Sequence, residues 1–207
     1  LINKRMEAES GTIAIAWHSQ GFRFITNSKQ PVAKLADLAP VKIRTPNNPI
    51  MIGVYRAWGT DPVPMAMDET FNALQQKVVD GQDNPLVSIA TNRFYEVQKY
   101  FTEVNYQFHP DPFYVNAAWW NGLPEEYRDI ITECATKMGE YNDELIDKNS
   151  SAAKQTIVDS GCEVYEPSAD ELKAFQTAVQ SVYDQCVTEG ICTADEIKEM
   201  QDIVAKA

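Results

Sequence analysis

The sequence has little positive charge for its length. Among its 207 residues, 18 are Lys or Arg and 30 are Asp or Glu, which gives a net charge of −12 and a sequence pI near 4.6. Proteins that bind the phosphate backbone of nucleic acids need a basic face, so we expect neither nucleic acid nor an anionic membrane surface as a partner. An anionic small molecule is compatible with this charge only where a few Arg side chains locally outweigh the negative field.

The sequence also lacks the patterns that carry most enzyme chemistry. Its two His residues, His18 and His109, are isolated, and there is no G-x-S-x-G, H-E-x-x-H, phosphate loop or G-x-G-x-x-G. Carboxylate pairs such as Glu125-Glu126 stand at predicted helix starts, where the helix dipole accounts for them. We therefore expect no catalytic residue, no metal and no cofactor.

No apolar run approaches the ~18 residues that a membrane-spanning helix needs. The first residues show no basic start followed by an apolar stretch, so we expect any secretion signal to have been removed or to lie outside this sequence. Hydrophobic residues make up 44% and charged residues 23%, as is typical of a globular protein. The length is enough for one large domain or two small lobes.

Four cysteines are present, and their spacing contains no C-x-x-C pair or neighbouring His, which argues against a zinc site. Cys186 and Cys192 bracket a short loop that a disulfide could close, and Cys134 could pair with Cys162. The even count favours an oxidising compartment. Buried free thiols are the alternative.

The most informative stretch is Phe71–Tyr100. It begins as an amphipathic helix that Asp80-Gly81 ends, because Gly adopts the left-handed conformation that closes helices. Asn84-Pro85 then has the pattern of an N-cap followed by Pro at the first helical position. This pattern predicts that residues 81–84 link two helices and direct backbone N–H groups and the Asn84 side chain to one point. Such a point suits a small anion or a carboxylate.

Short apolar segments alternate with helical segments in the first half of the chain. Residues 12–17 and 22–26 are predicted strands separated by a loop at 18–21, and residues 41–45 alternate as a strand with one face on a core. The alternation of strands and helices predicts an α/β layer with a mostly parallel sheet. In such sheets, ligands collect beyond the carboxyl ends of the strands.

One long predicted helix dominates the second half of the chain. The Pro-Asp-Pro sequence at 110–112 is a predicted turn, followed by a strand over 113–119. No strong breaker occurs from Pro124 to about Ser160, which predicts a helix of up to ~35 residues, well beyond the usual ~11–12. A capping box at Ser168 predicts a further helix that runs to about Val187.

Two Arg residues lie in predicted strands, where burying an unpaired guanidinium is costly. Arg23 and Arg44 could each pair with an internal carboxylate, lie at the surface, or bind a ligand. A guanidinium matches a carboxylate with two parallel hydrogen bonds, which Lys cannot provide. Asn84 has the alternative role of an ordinary N-cap, and Met67 and Trp17 that of core residues.

Four segments between Gly21 and Asn105 carry a resemblance to a known family. They are GFRFITNSKQPV, DLAPVKIRTPNN, DPVPMAMDETFNALQQKVVDGQDNPL and NRFYEVQKYFTEVN. In this order they closely resemble the solute-binding proteins of tripartite ATP-independent periplasmic (TRAP) transporters, dicarboxylate-binding type. The resemblance implies a two-lobed α/β periplasmic binding protein (Venus flytrap) with a long lobe-spanning helix. It also implies that much of the N-terminal lobe lies outside this sequence.

The function that the resemblance implies is the capture of an organic acid in the periplasm and its delivery to TRAP membrane permease subunits. It further implies a monomer without a cofactor. A periplasmic organic-acid sensor of a signalling system is an alternative, and an enzyme acting on an organic acid is a less favoured one. The acid stays open, since dicarboxylates, sugar acids and keto acids all carry a carboxylate.

The ligand-binding residues that the resemblance implies are Arg44, Asn84, Arg23, Met67, Trp17, Tyr106 and Asp83. Arg44, in KIRTP, is implied to bind the ligand carboxylate in a bidentate manner. Asn84, in DGQDNP, is implied to hydrogen-bond the same carboxylate. Arg23 matches a second Arg of the pocket, and Met67 a position that packs against the ligand. The two aromatic residues follow from their order along the chain, and Asp83 stands where the family more often has Glu.

The resemblance divides the chain into five parts. Residues 1–19 are a remnant of the N-terminal lobe with a crossing strand, 20–109 form the ligand-binding α/β lobe, and 110–123 form a strand that returns to the N-terminal lobe. Residues 124–160 form the long spanning helix, and 161–207 a C-terminal strand and helices.

Overall fold

The computed structural model of the protein describes residues 2–204. The strands are Thr12–Asn27 (β1), Lys42–Thr45 (β2), Asp61–Pro64 (β3), Gly81–Pro85 (β4), Tyr100–Thr102 (β5), Phe108–Asn116 (β6) and Glu163–Tyr165 (β7). The helices are Ile2–Ser10 (α1), Pro49–Ala57 (α2), Met67–Gln75 (α3), Leu86–Thr91 (α4), Ala117–Gly122 (α5), Glu125–Asp159 (α6), Ala169–Ala178 (α7), Gln180–Thr188 (α8) and Ala194–Val204 (α9). Short 3₁₀ turns cover Leu35–Leu38 and Phe94–Glu96. The predicted α/β class is confirmed.

The sheet is mixed, with strand order β3-β2-β4-β1-β5-β7 and β6 paired to β1 outside this path. β2 is parallel to β3 and β4, and β5 is parallel to β7. β1 is antiparallel to β4, β5 and β6. The prediction of a mostly parallel sheet is therefore wrong, because a strand that runs against its neighbours occupies the centre.

β1 is one strand of 16 residues, so the predicted loop at 18–21 is wrong. That region contains an irregularity between Ser19 and Phe22 in the pairing with β6, and Gly21 has a φ of 81°. Such a bulge favours Gly, which reaches positive φ without a steric penalty. The first part of β1 pairs with β6 and the last part with β4 and β5, so this strand joins the two portions of the sheet.

The segment Gly81–Pro85 is a fully buried strand rather than a link between helices. It pairs in parallel with β2 and antiparallel with residues 23–27 of β1. Asn84 is therefore not an N-cap, since Pro85 holds the cap position of α4 without a side-chain hydrogen bond. The local Gly and Asn-Pro signals were overridden because strands on both sides supply hydrogen-bond partners that a sequence window does not contain.

Three further predictions in the second half are wrong. Pro110–Pro112 lies inside β6, which pairs only with β1 among the described residues, and Pro is tolerated on such an edge. The strand predicted over 113–119 ends at Asn116, whose side chain caps α5 by accepting from the Trp119 N–H. The helix predicted from Ser168 is broken at Val179 into α7 and α8.

The predicted long helix is confirmed as α6, which has 35 residues. It packs against β1 and α4, and a Cβ on Gly139 would lie 2.9 Å from the Trp17 carbonyl oxygen. Only Gly allows the helix to lie so close to the strand. The helix also separates Cys134 from Cys162 by roughly 37 Å at 1.5 Å per residue, which excludes a disulfide between them. All four cysteines are free thiols.

The core lies on both faces of the sheet, and β1 contributes to both. Successive side chains of a strand point to opposite faces, so Phe24 and Ile25 enter different clusters. The Ile25 cluster includes Leu38, Ile43, Tyr55, Trp58 and Phe175. The Phe24 cluster includes Leu74, Ile89, Phe94, Phe101 and Ile157. Within residues 2–204, no helix is both long and apolar enough to cross a membrane.

Substituting Gly81 by Ala should destabilise the protein. The new Cβ would lie 2.2 Å from the Thr26 carbonyl oxygen and 2.9 Å from Ile43 Cδ1, and overpacking of this kind costs about 1–3 kcal/mol or more. Gly122→Ala is the matched control, because a Cβ there meets nothing within 4 Å. Urea unfolding measures both variants, and an unchanged midpoint for Gly81→Ala would contradict the prediction.

Candidate functional site: a cleft with an unpaired arginine

A cleft of about 570 Å³ opens where β2 and β4 end. These strands are parallel, so their carboxyl ends meet at one edge of the sheet, where α/β folds bind ligands. The cleft is lined by Arg23, Arg44, Pro46, Asn47, Asn48, Met51, Met67, Asn84, Ser88, Gln107 and His109. The structure thus brings together four of the predicted residues: both arginines, Asn84 and Met67.

Arg44 is buried, with 3% of its surface exposed, and no carboxylate within residues 2–204 forms a salt bridge with it. Its Nε and Nη2 atoms donate to the Met65 carbonyl oxygen at 3.0 and 2.7 Å. A guanidinium has five N–H donors, so these two bonds leave the edge formed by Nη1 and Nη2 available. That edge offers the parallel pair of donors that a carboxylate accepts.

The electrostatic surroundings of Arg44 are those of an uncompensated cation. Burial lowers the pKa of Arg44, the negative charge of Asp83 opposes this, and the positive charge of Arg23 reinforces it. Removing a charge from water without a counterion is expensive. An anion that enters the cleft would relieve that cost.

Arg23 already has an internal partner. Its Nε donates to Asp83 Oδ2 at 2.6 Å, and the two side chains are 4% and 0% exposed. Its Nη2 donates to the Asp83 carbonyl oxygen at 2.7 Å and to Asn84 Oδ1 at 3.3 Å. Although burial acts against it, the Asp83 carboxylate raises the pKa of Arg23. The alternative of an internal pair therefore describes Arg23, while Arg44 lacks such a pair among the described residues.

Asp83 and Tyr106 support the cleft from behind and do not line it. The Tyr106 hydroxyl donates to Asp83 Oδ2 at 2.6 Å, and its ring packs edge-on against Trp58 and Tyr55. Burial, together with the charge of Asp83, raises the pKa of Tyr106 well above its ordinary value. Tyr106 therefore stays protonated and acts as a donor that holds Asp83 in place.

Asn84 and Met67 occupy the wall between the two arginines and α3. The Asn84 Nδ2 atom donates to Gln82 Oε1 and lies 3.8 Å from Met67 Sδ. Its Oδ1 atom accepts from Arg23, so the amide is held in one orientation. Met67 begins α3, directly after the segment whose Met65 carbonyl holds Arg44.

Trp17 is not brought to the cleft. It lies opposite Pro112 in the part of β1 that pairs with β6 and is 41% exposed. Gln107 and His109 line the cleft instead, and sequence reasoning missed both. No local signal pointed to them, because the contact between His109 and Arg23 joins residues 86 positions apart.

His109 contacts the charged centre of the cleft directly. Its Nδ1 atom lies 3.0 Å from Arg23 Nη1, and its Nε2 atom lies 3.4 Å from Asp111 Oδ1. Burial and the charge of Arg23 lower the pKa of His109, while Asp111 and Asp83 act against this. The imidazole is therefore neutral near pH 7, with Nδ1 as acceptor. Within the described residues, no cluster of His, Cys, Asp and Glu is arranged to hold a metal ion.

Replacing Asp83 by Asn should strongly destabilise the fold, because it leaves the buried Arg23 charge uncompensated. Breaking a buried pair costs about 3–5 kcal/mol. Asp202→Asn is the control, since the Lys198–Asp202 pair is exposed and such pairs contribute about 0–1 kcal/mol. The free energy of unfolding in urea should separate the two variants, and equal losses would contradict the prediction.

The His109 imidazole should titrate below its ordinary pKa of 6.5. Because the folded-state pKa is depressed, the neutral form stabilises the protein above pH 6.5, and that contribution is lost as pH falls through the lowered pKa. NMR titration of the His109 ring measures the midpoint directly. An acid bound in the cleft should move the midpoint upwards, and a free-protein midpoint at or above 6.5 would contradict the assignment.

Known proteins with a similar sequence identify the family of this chain. A family model described as bacterial extracellular solute-binding protein, family 7 (DctP), matches residues 2–189. The 2,3-diketo-L-gulonate-binding periplasmic protein YiaO of Escherichia coli is 29% identical over 194 residues, which are 93% of this chain and 58% of YiaO.

Solved structures show the same fold. A TRAP periplasmic solute-binding protein from Ralstonia eutropha H16 with bound (S)-2-acetolactate has a TM-score of 0.90 at 28% identity, covering 100% of this chain and 66% of that one. The sugar acid binding protein DctPAm from Advenella mimigardefordensis, in complex with galactonate, has a TM-score of 0.88 at 29% identity, covering 99% and 65%.

The chain spans roughly half to two thirds of the length of the relatives that it matches. The match in sequence covers most of its own residues, and the match in structure includes the mixed sheet and the long helix. The chain therefore belongs to the bacterial extracellular solute-binding proteins of family 7, the solute-binding proteins of TRAP transporters.

Proposed function

We propose that this protein captures a sugar acid or a related small monocarboxylic acid in the periplasm and delivers it to a TRAP membrane permease. The observation that carries the proposal is the buried guanidinium of Arg44, which lines the cleft and has no carboxylate partner among the described residues, while its bonds to the Met65 carbonyl leave the Nη1–Nη2 edge free. Delivery to the permease, action as a monomer and the absence of enzyme activity rest on the family.

The charge balance of the cleft supports an anionic ligand. Arg23 and Asp83 neutralise each other, and His109 is neutral near pH 7, so Arg44 leaves one net positive charge. The protein as a whole has a net charge of −12. The positive charge at Arg44 therefore attracts anions at one point of an otherwise negative protein. A carboxylate on Arg44 forms two charge-assisted hydrogen bonds in a site that excludes much of the solvent.

The other lining groups support a ligand with hydroxyl or carbonyl groups beyond its carboxylate. Asn47, Asn84, Ser88 and Gln107 offer both donors and acceptors, and Met67 offers an apolar contact. A dicarboxylate would need a second cation, and Arg23 is already paired. The relatives named above were crystallised with galactonate or acetolactate, or are named for 2,3-diketo-L-gulonate, which are acids with one carboxylate.

Arg44→Ala should abolish most of the acid affinity. Removing one partner of a buried, hydrogen-bonded charge pair costs about 2–5 kcal/mol, or roughly 30-fold to several thousand-fold in Kd. Arg44→Lys keeps the charge without the fork and should recover only part of the loss. The ligand is first selected by a thermal-shift screen of sugar acids, keto acids and dicarboxylates, and calorimetry then measures Kd.

Arg56→Ala is the control for that experiment, because it removes the same charge from an exposed position of α2. It should leave Kd within about twofold, since exposed charges act weakly through screened solvent. Unchanged affinity in Arg44→Ala would overturn the assigned role of Arg44, and a screen that selects only dicarboxylates would overturn the proposed ligand class.

A further inference from the structure

Two of the free cysteines lie on either side of the turn that ends α8. This helix closes with a Schellman motif, in which the Gly190 N–H donates to the Val187 carbonyl at 3.1 Å and the Ile191 N–H donates to the Cys186 carbonyl at 2.9 Å. Gly190 has a φ of 71°, as the left-handed position of this motif requires. The chain thereby folds back, and the Cys192 N–H also points at the Cys186 carbonyl, at 3.4 Å.

The two thiols differ in their surroundings. Burial raises the pKa of Cys186, and the nearby Cys192 and Glu189 act in the same direction. Cys186 is buried, with 6% of its surface exposed, whereas Cys192 is partly exposed. Cys192 lines a shallow pocket of about 370 Å³ between α1 and α9. One thiol is therefore accessible to a reagent, and the other is buried at the same helix end.

We propose that Cys186 and Cys192 form an oxidation site that closes to an intramolecular disulfide in the presence of a disulfide donor. The Cys192 thiolate attacks one sulfur of the donor, such as oxidised glutathione, and releases one glutathione thiolate. The Cys186 thiolate then attacks Cys192 Sγ of the mixed disulfide and releases the second. Two protein thiols are oxidised to one disulfide, and one glutathione disulfide is reduced to two thiols.

The cross-link would lie beside the place where α1 approaches α9. Arg5 of α1 donates to the Ile191 carbonyl at 2.7 Å and pairs with Glu196 of α9. Neither α1 nor α9 has a fully buried residue among those described, so few packing contacts hold them. Closing the loop removes freedom from the unfolded chain. The oxidised protein should therefore have a Tm several degrees above that of the reduced protein.

Oxidation in vivo depends on the proposed periplasmic location, but the chemistry is tested on the purified protein. The protein is equilibrated with oxidised and reduced glutathione, alkylated and digested with trypsin. Cys186 and Cys192 fall in one tryptic peptide, residues 174–198, because no Lys or Arg occurs between Lys173 and Lys198. The expected product is this peptide, unalkylated and lighter by two hydrogens, with Cys134 and Cys162 still alkylated.

Variants make the test specific. Cys192→Ser changes a partly exposed residue and should abolish the product, whereas Cys134→Ser should leave it intact. Full alkylation of peptide 174–198 at all glutathione ratios, or glutathione retained on Cys192, would overturn the proposal. Acid binding, measured separately by calorimetry, should be the same in the oxidised and reduced forms, since the cleft lining includes neither cysteine. Failure of one proposal is thus distinguishable from failure of the other.

Discussion

The buried ion pair between Arg23 and Asp83 is the interaction on which the site depends. It joins β1 to β4 at the centre of the sheet, and Tyr106 closes it from the far side. Asp83 Oδ2 accepts from both partners, and within residues 2–204 no salt bridge joins Asp83 to Arg44, so its charge opposes the effect of burial on Arg44 without forming a direct pair. The internal carboxylate is thus paired with Arg23, and Arg44 is left to pair with an external anion.

The same ion pair explains why the two arginines have different roles in the cleft. Arg23 holds Asn84 and His109 by hydrogen bonds, so both polar groups line the cleft together with Arg44. The charge of Arg23 itself is neutralised by Asp83 and is not available to a ligand. Arg44 is held by a backbone carbonyl, which fixes its plane without cancelling its charge. A rigid, pre-oriented fork loses little conformational freedom on binding.

The sequence was sufficient for features that depend on local signals or on the family resemblance. Helix α6 follows from the absence of breakers over residues 124–160, and the capping box at Ser168 is present as predicted. The resemblance selected Arg44, Asn84, Arg23 and Met67, all of which line one cleft. The partner of Arg23 and the identity of Gly81–Pro85 as a strand depend on residues about 60 positions away, and no local window contains that information. Trp17 was assigned to the ligand site from its order along the chain. That order does not show which part of β1 lies at the cleft, and Trp17 lies in the part that pairs with β6.

The contact at Gly139 has a mechanical consequence. Since the backbone of β1 lies against this residue, α6 is supported near its middle and has two unequal arms. The longer arm, from Gly139 to Asp159, measures about 30 Å at 1.5 Å per residue. The far end of this arm is also held, because Ile157 is fully buried in the Phe24 cluster. Helix α6 is therefore fixed to the sheet at two points about 27 Å apart at 1.5 Å per residue, and it cannot tilt at the strand without disturbing that cluster.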